Sequence, residues 1–205
     1  EEGIAHDLAT SSDSQMAQFQ ESVVSALTSE TLAPRVAVDD ELAFGTALLR
    51  QLGRLLIAWN YPSVYQRAVA AQRSGASFDQ TVSELAGFSP MGLVVRLMSS
   101  WGIAAPIRYA VAGDRAISPE ERLSLARDTD SVARLEELCR VGEALARAND
   151  PERYPEALHD WEEAHQELER IFGTGALIAI RERVRQFAQT YEGRFPHLLA
   201  EAKEL

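Results

Sequence analysis

Cysteine is almost absent. One cysteine in 205 residues excludes an intramolecular disulfide and a thiolate-held metal within one chain. That cysteine, Cys139, lies in LEELCRVGEAL at helical spacing with Leu135 and Leu138, so it reads as a small core residue in a reducing, cytoplasmic setting. No apolar run approaches the ~20 residues of a membrane helix. The start, Glu1-Glu2-Gly3-Ile4, lacks the basic-then-apolar order of a signal peptide. It also lacks an initiator Met, which is compatible with a piece of a longer protein. Basic residues are scarce, 20 against 31 acidic ones, for a net charge of −11. Such a surface repels phosphate backbones and anionic lipid, so neither nucleic acid nor membrane is an expected partner. No G-x-x-x-x-G-K-[ST], G-x-G-x-x-G or G-x-S-x-G element is present. Gly173-Thr174-Gly175 has no strand before it, and Ser83 and Ser89 have no histidine nearby in sequence to act as base. Strand signals are missing too: no segment shows β-branched alternation between turn residues.

What remains is helical periodicity. Residues 15–28 place Met16, Phe19, Val23 and Leu27 on one stripe. Asp39 or Asp40 can N-cap a helix running to about Asn60, apolar around much of its circumference, and so expected to be central. Gly45 and Gly53 inside it point to close helix crossings, since each costs roughly 1 kcal/mol of propensity. Shorter helices are expected from Pro62 to Arg73, from Ser77 to Gly87, from Ser89-Pro90 to Gly102, and from Pro106 to Gly113-Asp114. Ser118-Pro119-Glu120-Glu121 opens residues 119–148, one long helix or two with a break near 128–130. NDPERYP (149–155) reads as a connection. Helices follow over 156–172, with Leu158, Trp161, Ala164, Leu168 and Ile171 inward, over about 176–191, and from Pro196. Trp59, Trp101 and Trp161 all fall at positions expected to be core. The fold class is all-α: an orthogonal helical bundle followed by a helical hairpin or small bundle. The divisions are a polar segment 1–14, a domain 15–115 and a helical extension 116–205.

Three blocks carry a resemblance to a known family. They are ALLRQLGRLLI (47–57), the tract Tyr61-Pro62-Ser63-Val64-Tyr65 to Gly75, and Gly87-Phe88 followed by Trp101-Gly102-Ile103. Together they resemble the HDOD domain, a catalytically degenerate relative of HD metal phosphohydrolases found in bacterial signalling proteins. Gly53, Gly87 and Trp101 match best, and Ala104 stands where the family commonly has proline. The likeness covers about residues 15–115 and looks like the C-terminal half of the domain. It implies that the metal ligands are gone. The first family histidine falls on Glu21, the His-Asp pair on Arg50 and Gln51, a later histidine on Pro90, and the closing pair on Gly113-Asp114.

A phosphohydrolase needs His and Asp ligands converging so that metal can activate water. With only Glu21 and Asp114 left as ligands, and Arg50 repelling a cation, no metal, no cofactor and no catalysis are expected. The bland role for Arg50 is an ion pair with Glu21 or Asp114. The sharper one is a remnant anion pocket with Arg54, one helical turn away. His6-Asp7 spells the motif by chance in a polar segment. Glu162–His165 lacks a second matching helix, His159 and His165 lie on different helix faces, and His197 is unremarkable. The leading expectation is a non-enzymatic signalling module that binds a protein partner through a helical surface near Glu21, Arg50, Gln51, Arg54 and Asp114, with self-association compatible. The acidic C-terminal helices are a second candidate surface. The alternatives are a receptor for a nucleotide or second messenger in the former active site, and a structural subunit of a larger helical assembly.

Overall fold

The structure, a computed structural model, describes residues 12–125, 129–155, 157, 165 and 168–190. Among the described residues every regular element is helical. These are α1 (Asp13–Leu32), α2 (Asp40–Asn60), α3 (Pro62–Arg73), α4 (Phe78–Ala86), α5 (Pro90–Ser100), α6 (Ala105–Ala112), α7 (Pro119–Leu125), α8 (Thr129–Ala148) and α9 (Ala176–Thr190). Short 3-10 turns occupy Ala33–Val36 and Gly113–Ala116. The all-α reading holds. No helix among the described residues is long and apolar enough to cross a membrane.

Caps set the boundaries. Asp39 Oδ1 accepts from the Leu42 amide at 2.8 Å, and Ser89 Oγ from the Gly92 amide at 2.9 Å. Ser118 and Glu121 close a reciprocal box, with the Ser118 amide donating to Glu121 Oε2 and the Glu121 amide to Ser118 Oγ. Ser12 and Gln15 form another box, so α1 starts ahead of the expected residue 15 and runs past residue 28.

α2 packs against α1, α3, α5, α6 and α8, as its apolar circumference predicts. Its most buried positions are not the leucines. They are Ala43, Thr46, Ala47, Gln51, Gly53, Ile57 and Ala58, because small residues allow the neighbours closest. At Gly53 a Cβ would stand 2.9 Å from the Pro90 carbonyl oxygen, which is the expected crossing, with α5. At Gly45 nothing lies within 4 Å, so no crossing explains that glycine.

α1 departs further from its expected single stripe. Val23 and Leu27 are buried, but so are Gln18, Gln20, Glu21, Ser22, Ser25, Thr28 and Ser29. The cause is tertiary: α2, α8 and α9 all pack on α1. α8 approaches closest at Gly142, where a Cβ would lie 2.5 Å from the Ser25 carbonyl oxygen and 2.8 Å from Ser29 Oγ. Ser29 Oγ also donates across the crossing to the Leu138 carbonyl at 3.1 Å.

The largest apolar cluster joins Val23, Val24 and Leu27 of α1 to Leu135, Leu138 and Leu145 of α8, to Leu168 and Phe172, and to Ile180 and Val184 of α9. The core is therefore continuous across residue 115. A second cluster unites the end of α2 with α3 and α4, and a third unites α5 and α6. Cys139 is fully buried, as expected, and burial pushes its thiol up to about 12. Trp101 is not core. It is 56% exposed, because it caps α5 beyond the last inward turn at Met98. Trp59 packs half-buried on the second cluster. Trp161, His159, Glu162, Glu163, Leu158, Ala164, residues 126–128, the helix expected from Pro196 with His197, and His6-Asp7 lie outside the described residues, and α8 begins at Thr129, within the break expected near 128–130.

Candidate functional site

Glu21 sits on α1 and is 4% exposed. A carboxylate at such depth needs a cation and hydrogen bonds to stay charged. Both come from the connection after α8. Arg153 reaches in with its guanidinium and is 6% exposed, its Nη2 lying 2.9 Å from Glu21 Oε2 and 2.9 Å from Gln18 Oε1. The Tyr65 hydroxyl is 3.0 Å from the same nitrogen and donates to Gln18 Oε1 at 2.9 Å. Tyr154 adds its hydroxyl at 2.9 and 3.0 Å from the two Glu21 oxygens. Asp150 holds the connection in shape by accepting from the Arg153 amide at 3.1 Å.

The electrostatics follow this geometry. Burial works against the charge on Arg153, but Glu21 with Tyr65, Tyr154 and Asp150 outweighs it and raises the guanidinium pKa. Burial, with the Glu21 charge beside it, pushes the Tyr154 hydroxyl up to about 12. Burial also raises Tyr65. Both phenols are therefore neutral donors at ordinary pH, and Arg153 is paired with both Glu21 and, at 3.3 Å, Asp150.

A polar chain leads outward. Gln18 Nε2 lies 3.5 Å from Gln51 Oε1. Tyr154 accepts from Arg54 Nη1 at 2.7 Å, and that guanidinium lies over the Phe78 ring at 4.2 Å. Arg50 turns the other way. Its Nε and Nη2 grip Glu143 of α8 at 2.6 and 3.1 Å, and its Nη1 donates to the Ala110 carbonyl near the end of α6 at 2.8 Å. The fork–fork pair is the strong form of an Arg–carboxylate contact, and the carbonyl contact satisfies a helix-end acceptor.

Of the sequence-expected residues, Arg50, Gln51 and Arg54 line one cavity, and Glu21 lies behind it, joined through Tyr154. Asp114 is not there. It is 58% exposed and paired to Arg122 at 2.5 Å, because it sits in the 3-10 turn after α6, facing α7 rather than α2. Arg50 pairs with neither Glu21 nor Asp114, since Glu143 already claims it. Arg153, Tyr154 and Glu143 are the residues that sequence reasoning missed. The signal for Glu143 was its place one turn after Cys139, a carboxylate on an apolar face. Arg153 and Tyr154 stand in a segment that reads only as a connection. Among the described residues no three His, Cys, Asp or Glu side chains converge to hold a metal.

The family model for the HDOD domain matches residues 4–116. The match begins earlier than residue 15 and lies on the N-terminal side of the chain, which differs from the expected C-terminal half. No curated protein and no solved structure matches the chain.

Proposed function

Because this chain belongs to the HDOD domain family, a signalling-related HD-like group, we propose that it is a non-catalytic regulatory module of a bacterial signalling system, working in the cytoplasm by binding a protein partner. One observation carries the reading. Glu21, where the resemblance places a metal-binding histidine, already spends both oxygens on Arg153 and Tyr154. A divalent ion there would meet a guanidinium and would have to expel it. Water activation by a bound metal has no free carboxylate to begin from at that position.

The interaction surface is then the outside of the bundle, not the interior around Glu21, which is closed. The C-terminal helices remain the second candidate face for a protein partner. Bis(4-nitrophenyl) phosphate with added manganese or iron(II) tests the catalytic half of this reading. The expected outcome is no turnover above buffer. Turnover that disappears in Glu21→Ala would contradict it. Light scattering on dilute protein tests the structural-subunit alternative, which requires self-association through exposed apolar surface.

A further inference from the structure

A cavity of about 190 Å³ opens beside the buried network, walled by Arg50, Arg54, Arg147, Asp79, Glu143 and Gly53 among others. Its three guanidiniums are not equivalent. Arg50 is consumed by Glu143 and Ala110. Arg54 uses Nη1 on Tyr154 and Gln72, and no hydrogen bond from its Nε or Nη2 is found among the described residues. Arg147 reaches Glu143 only at 3.7 Å, and Glu143 is already held bidentate by Arg50. Among the described residues its Nε is buried with no acceptor, and the Tyr154 ring lies 5.8 Å from its guanidinium. A buried donor without an acceptor is rare in a folded protein and calls for an explanation. Two arginines with unspent donors therefore face one small, polar cavity in a chain that is otherwise strongly acidic.

Guanidiniums recognise planar or tetrahedral oxyanions through paired N–H donors. A bare oxyanion does not complete the site, because Asp79 also lines it. No partner for the Asp79 carboxylate is found among the described residues, and it would repel an anion unless the ligand also offers hydroxyl or amine donors. Size narrows the class further. Pockets that enclose drug-sized molecules begin near ~300 Å³, so this one cannot enclose a whole nucleotide.

We propose that this cavity binds a small phosphorylated polyol of sugar-phosphate size, its phosphate between Arg54 and Arg147 and its hydroxyls toward Asp79. The site goes beyond the non-catalytic reading and does not rest on it. Its failure would leave that reading intact.

Isothermal titration of the full chain with ribose 5-phosphate, ribose, inorganic phosphate and guanosine 5′-monophosphate tests it. Ribose 5-phosphate should bind about tenfold tighter than phosphate or ribose. Guanosine 5′-monophosphate should bind more weakly than ribose 5-phosphate, because the cavity is too small for its base. Arg147→Gln should weaken ribose 5-phosphate by roughly tenfold or more. Asp79→Asn should weaken ribose 5-phosphate while tightening inorganic phosphate, because the repelling charge is gone. Arg147 is 41% exposed along its side chain, so its variant should keep the parent melting curve, which circular dichroism verifies. No saturable heat with either phosphate ester overturns the proposal. So does binding that Arg147→Gln leaves unchanged in a folded protein. Phosphate binding as tightly as ribose 5-phosphate overturns the role of Asp79 and with it the ligand class.

Discussion

Arg153 decides more than any other residue. Removing one partner of a buried ion pair leaves the other charged and unpaired, at a cost of about 3–5 kcal/mol. Arg153→Met should therefore lower unfolding free energy by about that amount in urea titrations. Adding Glu21→Gln should restore about 2 kcal/mol or more, because the stranded charge is gone. Equal stability of Arg153→Met and the parent would mean that the guanidinium is not held in the interior. Titration gives a second residue-scale test. The Cys139 thiol and the Tyr154 hydroxyl are both raised to about 12 in the fold, from ordinary values of 9.0 and 10.0. The unfolded chain therefore releases these protons first as pH rises. Their contribution to stability is complete below about pH 9 and is lost progressively toward pH 12. Melting temperature should fall across that window. Cys139 should resist alkylation in native buffer at pH 8 and react once the chain is unfolded.

At the scale of elements, two glycines make opposite predictions. Gly142→Ala puts a methyl 2.5 Å from the Ser25 backbone oxygen, which cannot swing aside, so α1 and α8 must separate. A loss of about 1–3 kcal/mol is expected. Gly45→Ala enters a helix with nothing within 4 Å, and should gain up to about 1 kcal/mol from propensity alone. Chemical denaturation of the two variants measures both. The same pair shows what a sequence can reveal about helices. Starts and stops were legible because Asp39, Ser77, Ser89 and Ser118 announce themselves as caps through local chemistry. On α1 the stripe of Met16, Phe19, Val23 and Leu27 was legible, and all four join the largest apolar cluster. That Ser22, Ser25, Thr28 and Ser29 would be buried as well was not, because they make room for close approach of neighbouring helices rather than supply hydrophobicity. Gly45 and Gly53 look alike in sequence, and only the placement of Pro90 separates them.

For the whole molecule, the family match ends at residue 116, yet the largest apolar cluster does not. Leu135, Leu138, Leu168 and Ile180 pack against α1, and Arg153 pairs with, and Tyr154 donates to, the deeply buried Glu21 carboxylate. A chain cut after residue 116 would expose that face and strand Glu21. It is expected to lose cooperative melting and to aggregate, as dynamic light scattering and circular dichroism would show. A well-dispersed, cooperatively melting fragment would contradict this. The candidate site was half legible for the same reason. Arg50, Gln51 and Arg54 share one helix and could be read together, whereas Arg153, Tyr154 and Glu143 arrive over 93 to 133 residues of separation. No local pattern encodes such a meeting.

On the proposed reading, the Arg153 guanidinium held by Glu21 stands where an HD-type centre would hold its ion. Elemental analysis of protein purified from cells supplied with manganese, iron and zinc tests it most directly. No transition metal should copurify in stoichiometric amount. A stoichiometric ion that is lost when Glu21 is replaced by alanine would contradict it.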